Sequence, residues 1–195
     1  MTLPANIVQQ AHRLAADARP AALTVWFTGL PGAGKTTLAM HLEARWVGRG
    51  LAAFVLDGDN LRHGLCQDLG FSDDARSENV RRAAEVCRLF NEAGVIALCA
   101  LVSPLAVQRE RARQIVGASR FFEIHVATPL SVCESRDPKG LYRRARQGTL
   151  MGLTGVDGLY EPPLDPALRL DTSTLSIDDA LAAIEALLAP QSRGR

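Results

Sequence analysis

The sequence predicts an α/β domain whose parallel sheet is covered by helices on both faces, and three observations carry that expectation. Four runs rich in β-branched and aromatic residues, 23–28, 53–56, 95–102 and 121–126, are nearly continuously apolar, as strands buried on both faces are. Segments with helical spacing separate them, and alternation of strand and helix is the pattern of a parallel sheet. A glycine-rich turn follows the first run directly. With 195 residues, 47% of them hydrophobic, the chain can bury one substantial core but not two, so residues 1–195 are read as a single domain.

Each element has its own signal. Residues 6–18 have helical composition, and 1–20 are set apart as an N-terminal helical segment. The run 23–28 ends at the glycine-rich turn, after which 37–46 is expected to be helical. The run 53–56 leads into a polar corner. From 76 to 93, Val80, Ala83, Ala84, Cys87 and Phe90 recur at three- and four-residue steps. Ser72 with Asp73 and Asp74 marks that helix's start, and Gly94 can supply its left-handed cap. Residues 168–170 supply a short fifth strand. The last helix, 177–188, begins with Asp178 and Asp179 at its positive end and stops before Pro190; residues 191–195 read as a frayed tail.

Composition narrows the function. Lysine and arginine number 22 against 21 acids, a balance that argues against a protein built to coat nucleic acid or an anionic membrane. The amino end lacks the basic and apolar regions of a secretion signal, and the longest apolar run is far short of a membrane span, so a cytoplasmic protein is expected. The four cysteines, Cys66, Cys87, Cys99 and Cys133, form no C-x-x-C pair and are expected to be reduced core residues.

The turn at 29–36, Gly-Leu-Pro-Gly-Ala-Gly-Lys-Thr, fits the phosphate-binding pattern G-x-x-x-x-G-K-[ST], which a chain of this size matches by chance with a probability of roughly 1%. A backbone wrapped around a triphosphate needs conformations that side chains forbid, with its N–H groups pointing inward. Gly29, Leu30, Pro31, Gly32, Ala33, Gly34, Lys35, Thr36 and Thr37 are therefore the expected ATP-binding set. Lys35 supplies charge to the outer phosphates, Thr36 offers a hydroxyl to Mg²⁺, and the following helix aims its positive end at the same anion. The fold expected is the P-loop nucleoside-triphosphate-hydrolase type, three layers with a five-stranded parallel sheet and a basic lid segment.

A P-loop does not name the acceptor. The run 53–56 continues into Asp57-Gly58-Asp59-Asn60-Leu61-Arg62, which places two carboxylates and an arginine at the ligand-facing end of a parallel strand. One carboxylate can hold Mg²⁺ or its water shell while the other orients and deprotonates a substrate hydroxyl. Asp59 is assigned the second role and Asp57, with Thr36, the first, although the sequence leaves open which of the two touches the metal.

Residues 57–65, 68–72 and 76–82 closely resemble the substrate segments of adenylylsulfate kinases. Val102-Ser103-Pro104, Arg136-Asp-Pro-Lys139-Gly-Leu-Tyr142 and Gly152-Leu153-Thr154-Gly155 are similar to that family's strand-end Ser-Pro, lid and adenosine-side loop. The resemblance spans about residues 23–160. It implies ATP-dependent phosphorylation of the 3′-hydroxyl of adenosine 5′-phosphosulfate during sulfate assimilation, with ATP and Mg²⁺ as cofactors. It implies that Arg62, Arg76 and Asn79 engage the phosphosulfate, Phe71 stacks on adenine, Leu153 and Ser103 contact the acceptor, and, on a lid and acceptor loop over 136–160, Arg136 binds ATP and Lys139 the acceptor. Ser103 is often described in the family as a phosphoserine intermediate; direct in-line transfer requires no such step and is preferred. A homodimer and an association with ATP sulfurylase are further implications.

This sequence departs from the family's pattern at Leu105 and Ala106, where a ring and an arginine are usual, at Ala75 for aspartate, at Leu153 for phenylalanine and at Pro31 for serine. Two rival readings follow: a P-loop kinase of another small hydroxyl compound, and a non-catalytic nucleotide-binding domain that regulates an associated ATP sulfurylase. Nucleic-acid binding through the arginines at 143–146 is disfavoured by the neutral charge and the lack of interleaved aromatics.

Overall fold

In a computed structural model, which describes residues 22–189, the five strands β1 (Thr24–Thr28), β2 (Ala53–Asp57), β3 (Ile96–Ala100), β4 (Phe121–Val126) and β5 (Leu168–Leu170) form one sheet in the order β2-β3-β1-β4-β5. Every pairing is parallel. The helices are α1 (Lys35–Val47), α2 (Gly58–His63), α3 (Asp73–Glu92), α4 (Ala106–Val116), α5 (Leu130–Arg136), α6 (Leu141–Arg146) and α7 (Ile177–Leu188). The expected N-terminal helical segment and the tail at 191–195 lie outside the described residues.

Side-chain alternation along the strands makes the three layers. On β1, Val25 and Phe27 face Leu38, Leu42 and Trp46 of α1 and Leu181 and Ile184 of α7. Trp26, between them, faces the other way, into Val80, Ala83 and Cys87 of α3 and Ala112 and Val116 of α4. The central strands β1 and β3 are buried along their whole length, which accounts for their unbroken apolar runs. Each large apolar side chain buried in these layers contributes about 1.5–3 kcal/mol. All four cysteines are buried and free.

Several boundaries differ from the sequence reading for local reasons. Helix α1 starts at Lys35, because Gly34 takes a left-handed conformation and serves as its N-cap. Helix α3, by contrast, keeps the expected start and cap: it begins at Asp73, where the Ser72 hydroxyl accepts from the Ala75 N–H, and ends just before Gly94, whose φ is +80°. The run 95–102 yields strand only to Ala100, and the chain turns away at Ser103, which has φ +38°. Parallel pairing therefore delivers the P-loop, Asp57, Ser103 and the loop after β4 to one edge of the sheet.

Candidate active site

The P-loop owes its shape to glycines at positions no side chain could occupy. A Cβ at Gly29 would lie 2.4 Å from the Val126 carbonyl oxygen, and one at Gly32 would lie 2.9 Å from that of Cys133, with φ at +150° and +75°. Pro31, Gly32, Gly34, Lys35, Thr36 and Thr37 line a cleft of about 840 Å³. Gly29 and Ala33 shape the loop from behind, and the Leu30 side chain turns into a separate cavity of about 190 Å³.

Lys35 folds back over the loop, and its Nζ donates to the carbonyls of Gly29 and Leu30 at 2.9 Å each. Burial pushes its pKa down to about 8, with Lys139 adding to the depression while Cys133 and Asp57 oppose it. A cation held at such a cost is matched to an anionic ligand.

The two carboxylates at the end of β2 are placed differently. Asp57 is buried and fully engaged: Oδ2 accepts from Thr36 Oγ1 at 2.7 Å, and Oδ1 accepts from the N–H groups of Asp59 and Asn60, capping α2. Asp59 stands in the cleft with 57% of its side chain exposed and meets Lys139 Nζ in an ion pair.

Beyond Asp59 the cleft is cationic. Arg62 donates to the carbonyls of Leu69 and Gly70, and Arg76 to those of Phe71 and Gly152, with contacts of 2.8–3.3 Å. These partners are neutral, so they orient the guanidinium groups without cancelling charge. Burial lowers both pKa values, and the Arg76 charge lowers that of Arg62 further. Phe71 projects into the cleft with its ring 4.2 Å from the Arg62 guanidinium carbon, so that one face is already covered. Asn79 is buried against the same region, and its Nδ2 has no hydrogen-bond partner among the described residues. An orphaned amide beside two desolvated guanidinium groups is the donor set of an anion site.

Ser103 and Leu153, both buried, line the cleft on its remaining sides. Ser103 Oγ accepts from the Trp26 indole N–H at 3.1 Å. Asp157 accepts from the N–H groups of Gly152 and Leu153 and so fixes the 152–158 loop. Arg136, Lys139 and Arg144 of the basic segment face the cleft, whereas Arg146 pairs with Glu134.

Three contributors escaped the sequence reading. The Tyr142 hydroxyl donates to the Pro31 carbonyl at 2.9 Å, tying α6 to the P-loop. Thr172 accepts from Arg136 at 2.7 Å through its hydroxyl and at 2.8 Å through its carbonyl, and it donates to the Ala33 carbonyl. Leu175, Ile177 and Ala180 form an apolar wall beside Arg136. Tyr142 ends the lid motif and the others lie in none, but no motif announces these contacts; the pairing of residues over 100 positions apart links Tyr142 and Thr172 to the cradle.

Comparisons with known proteins agree with this geometry. The family model described as adenylylsulphate kinase matches residues 21–171. The adenylyl-sulfate kinase of Shewanella amazonensis is 53% identical over 160 residues, 82% of this chain and 81% of that protein. That of Marinobacter nauticus is 47% identical over 188 residues, 94% of each. The Mycobacterium tuberculosis APS kinase, solved in complex with AMPPNP and APS, superposes with a TM-score of 0.85 and 46% identity, over 88% of this chain and 99% of that one. A sugar kinase from Janibacter, 18% identical with a TM-score of 0.61, shares the fold alone. The match over 21–171 runs through the cradle, the arginine pair and the lid, and with relatives this similar along most of their length the chain belongs to the adenylylsulphate kinase family.

Proposed function

We propose that the protein transfers the γ-phosphoryl group of ATP to the 3′-hydroxyl of adenosine 5′-phosphosulfate, giving 3′-phosphoadenosine 5′-phosphosulfate and ADP. The observation that carries this reading is the juxtaposition, in one cleft, of a phosphate cradle and a second, arginine-built anion site, with Asp59 between them. The apolar wall of Leu175, Ile177 and Ala180 suits the adenine of ATP, and Arg136, held by Thr172, suits the ring's edge or face. Arg62, Arg76 and Asn79 suit the phosphosulfate, and the exposed Phe71 ring suits the second adenine.

The chemistry follows from these placements. Lys35 leaves its carbonyls to meet the β- and γ-phosphates, and the N–H groups of the P-loop and the α1 terminus hold the same oxygens. Asp59 exchanges its partner Lys139 for the acceptor hydroxyl, accepts that proton as the oxygen attacks phosphorus, and ADP departs in line. Lys139 is then free to follow the moving charge. Ser103 contacts the acceptor without being phosphorylated: its hydroxyl is buried and already held by Trp26.

Thr36 Oγ1 and Asp57 Oδ2, hard oxygen donors 2.7 Å apart at the foot of the cradle, fit Mg²⁺, which takes few protein ligands beside phosphate and water oxygens. When bound there, the ion would neutralise charge on the transferring phosphates.

A homodimer, association with an ATP sulfurylase and a cytoplasmic location belong to the same proposal. The Thiobacillus denitrificans APS kinase is hexameric, and no helix among the described residues is long and apolar enough to cross a membrane. Light scattering on the eluting protein tests the assembly.

The activity itself is tested by mixing protein, Mg-ATP and adenosine 5′-phosphosulfate, following ADP, and weighing the product. Acceptor-dependent ADP and a product heavier by one phosphoryl group are expected. ATP binding without acceptor-dependent turnover would overturn the reading.

A further inference from the structure

Arg109, on α4, lies outside the cleft with only 4% of its side chain exposed, yet it binds three segments at once. Its Nε pairs with Glu123 of β4 at 2.7 Å. One terminal nitrogen donates to the carbonyls of Ser103 at 2.9 Å and Pro104 at 3.1 Å, and the other donates to the carbonyl of Glu161 at 2.7 Å. Glu161 is tied further: its N–H donates to the Pro104 carbonyl at 2.8 Å, and its carboxylate accepts from the Ala106 N–H at 2.7 Å. Thr28 Oγ1 donates to the Val102 carbonyl and therefore accepts from the neighbouring Tyr160 hydroxyl, 3.1 Å away.

Residues 160–161 thus form a strap that binds the end of the 152–158 loop to the Ser103–Pro104 corner. Ser103 and Pro104 line the cleft, and so do Gly152, Leu153 and Thr154. A buried ion pair kept only for stability is poorly motivated, since desolvation offsets most of its attraction and apolar packing serves as well. What an apolar pair cannot do is hold three carbonyls from two separate segments with one planar group. A lysine cannot do it either, because its single nitrogen cannot span them.

We propose that Arg109, acting through the Tyr160–Glu161 strap, is a positioning residue that sets the spacing of the acceptor side of the cleft. The inference rests on the functional reading above. It assigns acceptor affinity, but not ATP affinity, to a group that touches neither substrate.

The test is steady-state kinetics on Arg109→Lys, Tyr160→Phe and Glu161→Ala beside the native protein, with hydrogen exchange across 152–161. Lysine keeps a charge beside Glu123 but loses the fork. Losing one or two hydrogen bonds from the strap should raise the KM for adenosine 5′-phosphosulfate about 5- to 20-fold, with the KM for ATP within about twofold, and speed exchange in 152–161. Tyr160→Phe and Glu161→Ala should show the same split more weakly, and they decide the matter if Arg109→Lys does not fold. A merely structural role would lower thermal stability while leaving both KM values unchanged, and that result, or an equal rise in both, would overturn the proposal. Absence of turnover in the native protein would sink the functional reading and this inference together; native turnover with unaltered variants would sink this inference alone.

Discussion

Replacing Arg76 with methionine is the sharpest probe of the acceptor site. Methionine keeps the aliphatic stem against the cleft wall and removes the charge and the fork. Arg76 is oriented by the carbonyls of Phe71 and Gly152, each at 2.9 Å, and both bonds are exposed. Their loss should therefore cost the fold less than about 1 kcal/mol, a shift in Tm of a few degrees. Binding suffers more. A hydrogen bond to a charged group contributes about 1.5–3 kcal/mol, which corresponds to about a 10- to 150-fold rise in the acceptor KM. One effect acts against this: Arg76 helps depress the pKa of Arg62, so removing it leaves Arg62 less strained as a cation. The lower part of the range is accordingly expected, about 10- to 50-fold. ADP release, measured while each substrate is varied at saturating levels of the other, separates the two sites. An acceptor KM within threefold of native, or a matching rise in the KM for ATP, would refute the assignment of Arg76 to the phosphosulfate.

Other outcomes follow from the same geometry. The Lys35 pKa of about 8 makes the free protein lose this charge above pH 8, so ATP affinity should be flat below that pH and weaken by up to tenfold per unit above it. Calorimetric titration of ATP at pH 7 and 9 checks this, with Lys35→Met expected to bind weakly and without the break. Burial, with Arg169 and Arg109 nearby, pushes His125 down to about 4; the unfolded chain then binds the extra proton between about pH 6.5 and 4, and stability falls as pH drops through that window. Denaturant unfolding of native protein and His125→Gln at pH 7 and 5 should show a smaller loss in the variant. Ser103→Ala should lower turnover without abolishing it, and complete loss together with a trapped phosphoenzyme in the native protein would contradict direct transfer.

The parts legible in the sequence were those whose function forces local residue choice. The P-loop announces itself because no side chain fits at Gly29 or Gly32, and Lys35 and Thr36 complete the pattern. The segment from Asp57 to Arg62 was legible as chemistry but not as α2, since Gly58 and Asn60 are poor helix formers and Asp57's capping bonds stabilise the turn. Helix α4 left no apolar stripe because two of its buried positions are Gln108 and Arg109, polar groups satisfied by partners far away in the chain. The contacts of Tyr142 and Thr172 with the P-loop were invisible for the same reason: each is a long-range bond to the loop backbone that no spacing rule encodes. The sequence already assigned Asp59 to the hydroxyl and Asp57 to the metal; what it could not show is that Thr36 holds one carboxylate and Lys139 the other.

Proton transfer to Asp59 is the step on which the proposed reaction depends. Single-turnover phosphoryl transfer by Asp59→Asn, with binding of both substrates measured separately, tests it. Asparagine keeps the size and removes the proton acceptor, so a fall in rate of at least about 100-fold with both affinities nearly unchanged is expected. A rate within tenfold of native would show that the proton leaves by another route and that the cleft has been misread at its centre.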